Sequence, residues 1–138
     1  MSAICDLSRL LSEMQPVLSD RPCVFVALPP DTDLSLMQSL PPGEWHALIR
    51  ETEGWTLIVD QCLADRLQLR YLSEFRRITL QVHSSLEAVG LTAAVSAKLA
   101  AVGISANVVA AYHHDHIYVP AGKAQEALQA LQELTEPR

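Results

Sequence analysis

The sequence predicts an α+β fold, and three observations carry that prediction. Between residues 78 and 120 the apolar period changes from that of a strand to that of a helix and back again. A second helical stripe follows this stretch. In the first half, two apolar runs flank a short polar segment in the pattern of a β-hairpin.

Taken in order, Ile78 to His83 alternates apolar and polar residues, as a half-buried strand does. After Ser84 and Ser85, the apolar residues Ala88, Leu91, Val95, Leu99 and Val102 recur at helical spacing and form the stripe of an amphipathic helix. Gly103 stops that helix. Ile104 to Tyr112 is rich in small and β-branched residues, His113 to Asp115 supply a polar turn, and His116 to Val119 make a short return strand closed by Pro120. From Ala121 onward Ala124, Ala127, Leu128, Leu131 and Leu134 form the second stripe. The order β-α-β-β-α is that of the ferredoxin-like split βαβ plan. Its last helix ends near Leu134, and the remaining TEPR is too short for a closing strand. The exposed sheet edge must therefore be covered by the N-terminal half or by a second chain, which leads us to expect a homodimer or higher oligomer.

The first half is less regular. Leu7, Leu10, Leu11 and Met14 mark a short helix ended near Pro16, and Cys23 to Leu28 forms a strand stopped by Pro29 and Pro30. Asp31 to Gly43 is loop-rich and too proline-bounded for more than one or two helical turns. Trp45 to Glu51 and Trp55 to Asp60 flank Thr52, Glu53 and Gly54, the punctuation of a hairpin. Asp65 to Ser73 fits neither period. The apolar pattern restarts between Tyr71 and Phe75, so two modules are expected, residues 1–73 and 74–138.

Composition narrows the function classes. A chain of 138 residues can bury roughly two-thirds of its unfolded surface and needs no staples. A net charge of -6 and a pI near 5.2 argue against a nucleic acid or an anionic membrane as partner, because both call for a cationic surface. Arg76 and Arg77 are the only adjacent basic pair, expected to be solvated. No apolar run reaches the roughly 20 residues that cross a bilayer, and MSAICDLSRLL lacks the segments of a signal peptide. A cytoplasmic location is expected. Cys5, Cys23 and Cys62 are scattered without metal-type spacing, which fits reduced, buried thiols.

The run HSSLEAVGLTAAVSAKLAAVGISANVVAAYHHDHIYVP resembles an ACT domain, a small regulatory module that binds amino acids or related metabolites. Within that family it is most similar to the tandem modules of aspartate kinases, stand-alone bacterial ACT proteins and mammalian cytosolic arginine-sensing ACT proteins. The match is strongest from Phe75 to Leu134, while WHALIRETEGWTLIVD resembles the hairpin of a preceding, degenerate repeat. The resemblance implies tandem ferredoxin-like (βαββαβ) modules with antiparallel sheets, a non-catalytic regulatory role, and an amino acid held at a module or subunit interface. It implies no cofactor.

In ACT domains the ligand is gripped by the loop after the first strand and by the start of the first helix. Carried onto this chain, those positions are Ser84, Ser85, Leu86 and Glu87, then Gly90, Leu91 and Thr92. The physics agrees: free N–H groups and the positive dipole end at a helix N-terminus suit a carboxylate, and serine hydroxyls add donors and acceptors. Glu87 could hold a ligand ammonium, or act as a stabilising acid in the first helical turn. The loop Ser-Ser-Leu-Glu-Ala-Val-Gly departs from the Asp-x-Pro-Gly pattern of many ACT modules. On the second strand the resemblance points to Ser105, Ala106, Asn107 and Val108, with Asn107 able both to donate and to accept. In the arginine sensors an aspartate of the following hairpin helps bind the ligand, which implicates Asp115 and its neighbour His116.

Other chemistries fit poorly. His113, His114, Asp115 and His116 carry zinc-type donors, yet successive residues of a strand point to alternating faces and rarely converge on one ion. No metal site is expected. Ser84 and Ser85 follow His83, but adjacency along a strand does not give the hydroxyl–imidazole geometry of a triad. There is no Gly-x-Ser-x-Gly elbow, phosphate-cradling glycine loop or His-Glu-x-x-His, so an enzyme is not expected. Two function classes remain: a metabolite sensor, and a ligand-free assembly or protein-interaction module.

Overall fold

The computed structural model describes residues 6–136. By their contacts these residues form two compact units, one continuous (residues 21–74) and one split (residues 6–20 with 75–136). Along the chain the expected division lies between Ser73 and Glu74. In space residues 6–20 group with the C-terminal segment.

In the continuous unit, β2 (Cys23–Leu28), β3 (Trp45–Glu51) and β4 (Gly54–Asp60) make an antiparallel sheet in the order β3-β4-β2, followed by α2 (Gln61–Arg66). These strands lie where the alternation and the proline stops put them. A six-residue 3-10 helix, Leu34–Ser39, occupies the proline-bounded loop. Val24, Val26, Leu57 and Val59 turn one sheet face toward Leu63 and Ala64 of α2 and form the core. The segment Asp65–Ser73, which fitted neither period, contains the last residues of α2 and a connection in which the Tyr71 hydroxyl donates to Asp65 Oδ1 over 2.8 Å.

The split unit contains α1 (Leu7–Glu13), β1 (Pro16–Leu18), β5 (Phe75–Leu80), α3 (Leu91–Ala101), β6 (Asn107–Ala110), β7 (Asp115–Pro120) and α4 (Ala124–Thr135). Its sheet order is β1-β5-β7-β6, antiparallel throughout. The edge that the β-α-β-β-α segment leaves open is covered from within the chain: Pro16, Val17 and Leu18 pair with Leu80, Thr79 and Ile78. Ile78, Leu80, Ile117 and Val119 turn to the side where Leu10, Leu91, Val95, Leu99, Ala127 and Leu131 pack upon them. That apolar layer holds the unit together, each fully buried aliphatic side chain contributing about 1.5–3 kcal/mol.

Several boundaries differ from expectation for local reasons. The first helix of this unit begins at Leu91 and not near Ala88, because Gly90 takes a left-handed φ of 104° as its N-cap. A Cβ at Gly90 would lie 3.0 Å from Leu7 Cδ2, so the helix start sits against α1. Ala88 therefore belongs to a longer loop, and Val102 falls beyond the helix. The strand expected over Ile104 to Tyr112 shortens to Asn107–Ala110. Ala111 N–H donates to the His114 carbonyl over 3.1 Å and makes the turn, leaving Asp115 as the first residue of β7. In the last helix Ala130 replaces Leu128 among the buried residues. Arg76 and Arg77 are half-buried where solvation was expected. Arg76 is held by the Ser19 carbonyl, with Nε 3.0 Å away. Cys23 is buried, whereas Cys62 is exposed because α2 turns Leu63 and Ala64 inward instead. Cys5 lies outside the described residues.

Candidate ligand site of the C-terminal module

The site rests on the loop 81–90, the start of α3 and the β6–β7 hairpin. Ser84 is 9% exposed, and its hydroxyl donates to Asp115 Oδ2 across 3.3 Å, joining loop to hairpin. Asp115 shares the helix-facing side of β7 with Ile117, as strand alternation requires. Together with Leu91, Thr92 and Val108 it lines a narrow cleft, too small for a water molecule, over Leu80, Val95 and Ile117. Five residues expected from sequence thus come together: Ser84, Leu91, Thr92, Val108 and Asp115.

The α3 N-terminus beside this cleft has no side-chain cap, so its first N–H groups keep their donor capacity. Such donors, with the helix dipole behind them, suit a carboxylate. Glu87 is exposed in the loop and lies outside the first helical turn, which contains no acid. Its backbone N–H donates to Ser85 Oγ over 3.1 Å, and the Ala88 N–H donates to the Ser85 carbonyl over 3.0 Å, so Ser85 shapes the loop. Leu86 is 66% exposed and points its apolar surface to solvent.

The remaining expected residues stand apart. Asn107 pairs with Tyr118, and Ala110 with Asp115, which puts Asn107 about 10 Å along the hairpin from Asp115 at about 3.3 Å per residue. Its Nδ2 donates to the Tyr118 carbonyl at 3.2 Å, a structural bond within the hairpin. Ser105 is exposed before β6, and Ala106 packs against the core. His116 lies on the opposite sheet face, its Nδ1 2.9 Å from Thr79 Oγ1.

Sequence reasoning missed the ring contacts beside the loop. His83 and His113 have centroids 5.6 Å apart, and Tyr112 meets His113 edge-on at 5.0 Å. The HHD run was the available signal, but only the tertiary turn brings His83 to it. Among the described residues no group of three or more His, Cys, Asp or Glu side chains is arranged to hold a metal ion. Elemental analysis of protein purified without an affinity tag should find substoichiometric zinc. A stoichiometric metal lost on changing His114 and His116 to Ala would contradict this.

The comparisons agree with this architecture. ACT domain family models match residues 2–76 and 72–133. The chain belongs to the ACT domain family, with two modules in tandem and antiparallel sheets. It is similar to a protein of unknown function from Vibrio cholerae, described as a possible transport protein, with 47% identity over 94% of this chain and 96% of that one and a TM-score of 0.81. The ligand-free regulatory subunit of aspartate kinase from Thermus thermophilus shares the fold, with 13% identity, a TM-score of 0.67 and coverage of 91% of this chain and 99% of that one. Aspartokinase III of E. coli, crystallised with aspartate and ADP, shares it at 15% identity and a TM-score of 0.61, over 86% of this chain and 32% of that one. No curated protein sequence matches the chain. ACT domains are regulatory ligand-binding modules, and among the described residues no helix is long and apolar enough to cross a membrane.

Proposed function

We propose that this chain is a non-catalytic, cytoplasmic sensor that binds an amino acid or a close relative at a subunit interface and passes occupancy to a partner. The placement of Thr92, of Asp115 with its Ser84 partner, and of the uncapped α3 N-terminus side by side carries the reading. The carboxylate would meet the helix N–H groups and the Thr92 hydroxyl. The ammonium would meet Asp115, with Glu87 able to swing in from the loop.

Size supports an interfacial site. Pockets that enclose a small molecule span about 300–1,000 Å³, whereas the gap beside Asp115 has no room for even a water molecule. A ligand would therefore sit over it, held against a second surface. Leu86, Val89 and Tyr112, exposed by 66%, 83% and 72%, belong to the two segments that frame the cleft and offer an apolar rim for such a surface. Ligand clamped between copies would favour the association that completes its site, which is the coupling a sensor requires.

The test is a thermal-shift screen of the twenty amino acids followed by calorimetry, with light scattering to follow oligomeric state. Asp115→Asn and Glu87→Gln nearly preserve shape. Loss of a charge-assisted contact should cost about 1.5–3 kcal/mol, roughly tenfold or more in affinity. If the parent binds an amino acid and neither folded variant weakens it, the polar readout is wrong. If the parent binds none, the ligand-free assembly or protein-interaction module is the better account.

A further inference from the structure

The three helices of the split unit leave an open groove of about 900 Å³ between α1, α3 and the end of α4. That volume lies in the range of small-molecule sites, about 300–1,000 Å³. The space exists because the facing side chains are short. Ser8 and Ser12 stand one turn apart on α1, and Ala94 and Ala97 nearly one turn apart on α3. The two helices meet instead at their starts, where Leu7 lies against Gly90. Leu11 and Leu134 also line the groove and pack on the core below, so it has an apolar floor.

The polar groups along the groove are biased toward acceptors. The Ser12 hydroxyl donates to the Arg9 carbonyl at 3.1 Å, and the Thr135 hydroxyl to the Gln132 carbonyl at 2.7 Å. Each has spent its hydrogen within its own helix and keeps lone pairs for a further donor. Glu136 adds a carboxylate at the C-cap of α4, a helix with no basic residue in its last turn to offset the negative end of its dipole. The cation on the wall, Lys98, is committed to Glu133, with Nζ 2.7 Å from Oε2. An aliphatic body ending in an ammonium matches both the apolar floor and the acceptors, whereas a carboxylate would be repelled at the α4 end.

We propose that the groove between α1, α3 and α4 is a second ligand site, one that takes a small aliphatic amine with its ammonium at the C-terminal end of α4. It shares no lining residue with the Ser84–Asp115 cleft, which is bordered by Leu91, Thr92 and Val95 of the same helix. It does not depend on the amino acid site, and Asp115→Asn should leave it intact.

Nuclear magnetic resonance of the backbone amides tests this on the intact protein, with hexylammonium chloride as probe and hexanoate and hexanol as comparisons at equal ionic strength. The signals of Ala94, Ala97 and Thr135 should move saturably with hexylammonium, while hexanoate and hexanol bind more weakly. Glu136→Gln removes an exposed charge and should weaken the amine by about threefold to fivefold. Ala97→Arg places a good helix former at an exposed helical position, fills the groove and repels the ammonium, and should abolish saturation. Absence of saturation by hexylammonium, equal affinity for hexanoate or hexanol, or undiminished binding by a folded Ala97→Arg variant would each overturn the proposal.

Discussion

Replacing Gly54 with Ala is expected to lower stability by about 3 kcal/mol or more, the range of a strained backbone combined with a buried clash. Gly54 opens β4 at a φ of 147°, where L-residues are strained. A Cβ there would lie 2.2 Å from the Leu28 carbonyl oxygen and 3.2 Å from Pro30 N. Both are backbone atoms and cannot rotate away. Relief would require β4 to separate from β2 at the Leu28–Trp55 pair, the end of the register that carries the continuous unit's core. Urea denaturation of the parent and of Gly54→Ala measures the effect. A variant within about 1 kcal/mol of the parent would show that the hairpin relaxes locally instead.

The second large effect is expected at Asp60, which is 3% exposed. β3 shifts register between Trp45 and Ala47, leaving His46 as the bulged residue, and a bulge re-aims a side chain. Here it brings His46 Nε2 to 2.9 Å from Asp60 Oδ1. On the other side Arg21 Nε is 3.1 Å from Asp60 Oδ2, close enough for an ion pair though not aligned as a hydrogen bond. The Arg21 Nη2 also donates to the Gly43 carbonyl at 2.8 Å, so the carboxylate organises the loop before β3 as well as the end of β4. The Arg21 side chain is 60% exposed and regains water, so removing Asp60 strands chiefly the buried His46 ring and costs about 1–3 kcal/mol. Asp60→Ala should fall in that range by chemical denaturation, and Asp60→Asn should recover part of it by keeping an acceptor for His46. Equal losses for Ala and Asn would assign the role of Asp60 to charge alone.

Much of the fold was legible because its signals are local. Prolines at 29 and 30 stop β2, and Thr52 to Gly54 punctuate the β3–β4 hairpin, so those strands fall where alternation put them. β1 was not legible. Pro16–Leu18 is too short to show a period and is a strand only because β5 lies beside it. The candidate site was legible in part for a related reason. The chain order placed Ser84, Thr92 and Asp115 in the right segments, but which of them meet depends on the αL turn at Gly90 and on the length of the β6–β7 turn. With the turn one residue earlier than expected, Asp115 and His116 begin β7 on opposite faces, and Asn107 pairs far from the cleft. Arg77 illustrates a further limit: a solvated basic pair and a half-buried unpaired guanidinium have the same sequence.

That β1 belongs to the split unit sets a timetable for folding. Residues 21–74 are contiguous and can close as soon as they have been made. Leu10 and Met14, fully buried in the finished protein, must wait for a sheet whose strands are synthesised last. Bringing Leu18 to Ile78 closes a loop of about 60 residues, against about 3 at the β3–β4 turn, an entropic difference of about 2.6 kcal/mol. Non-local pairing of this kind slows folding more than it lowers stability. The continuous unit is expected to gain protection first, with α1 and β1 docking in the last and slowest phase.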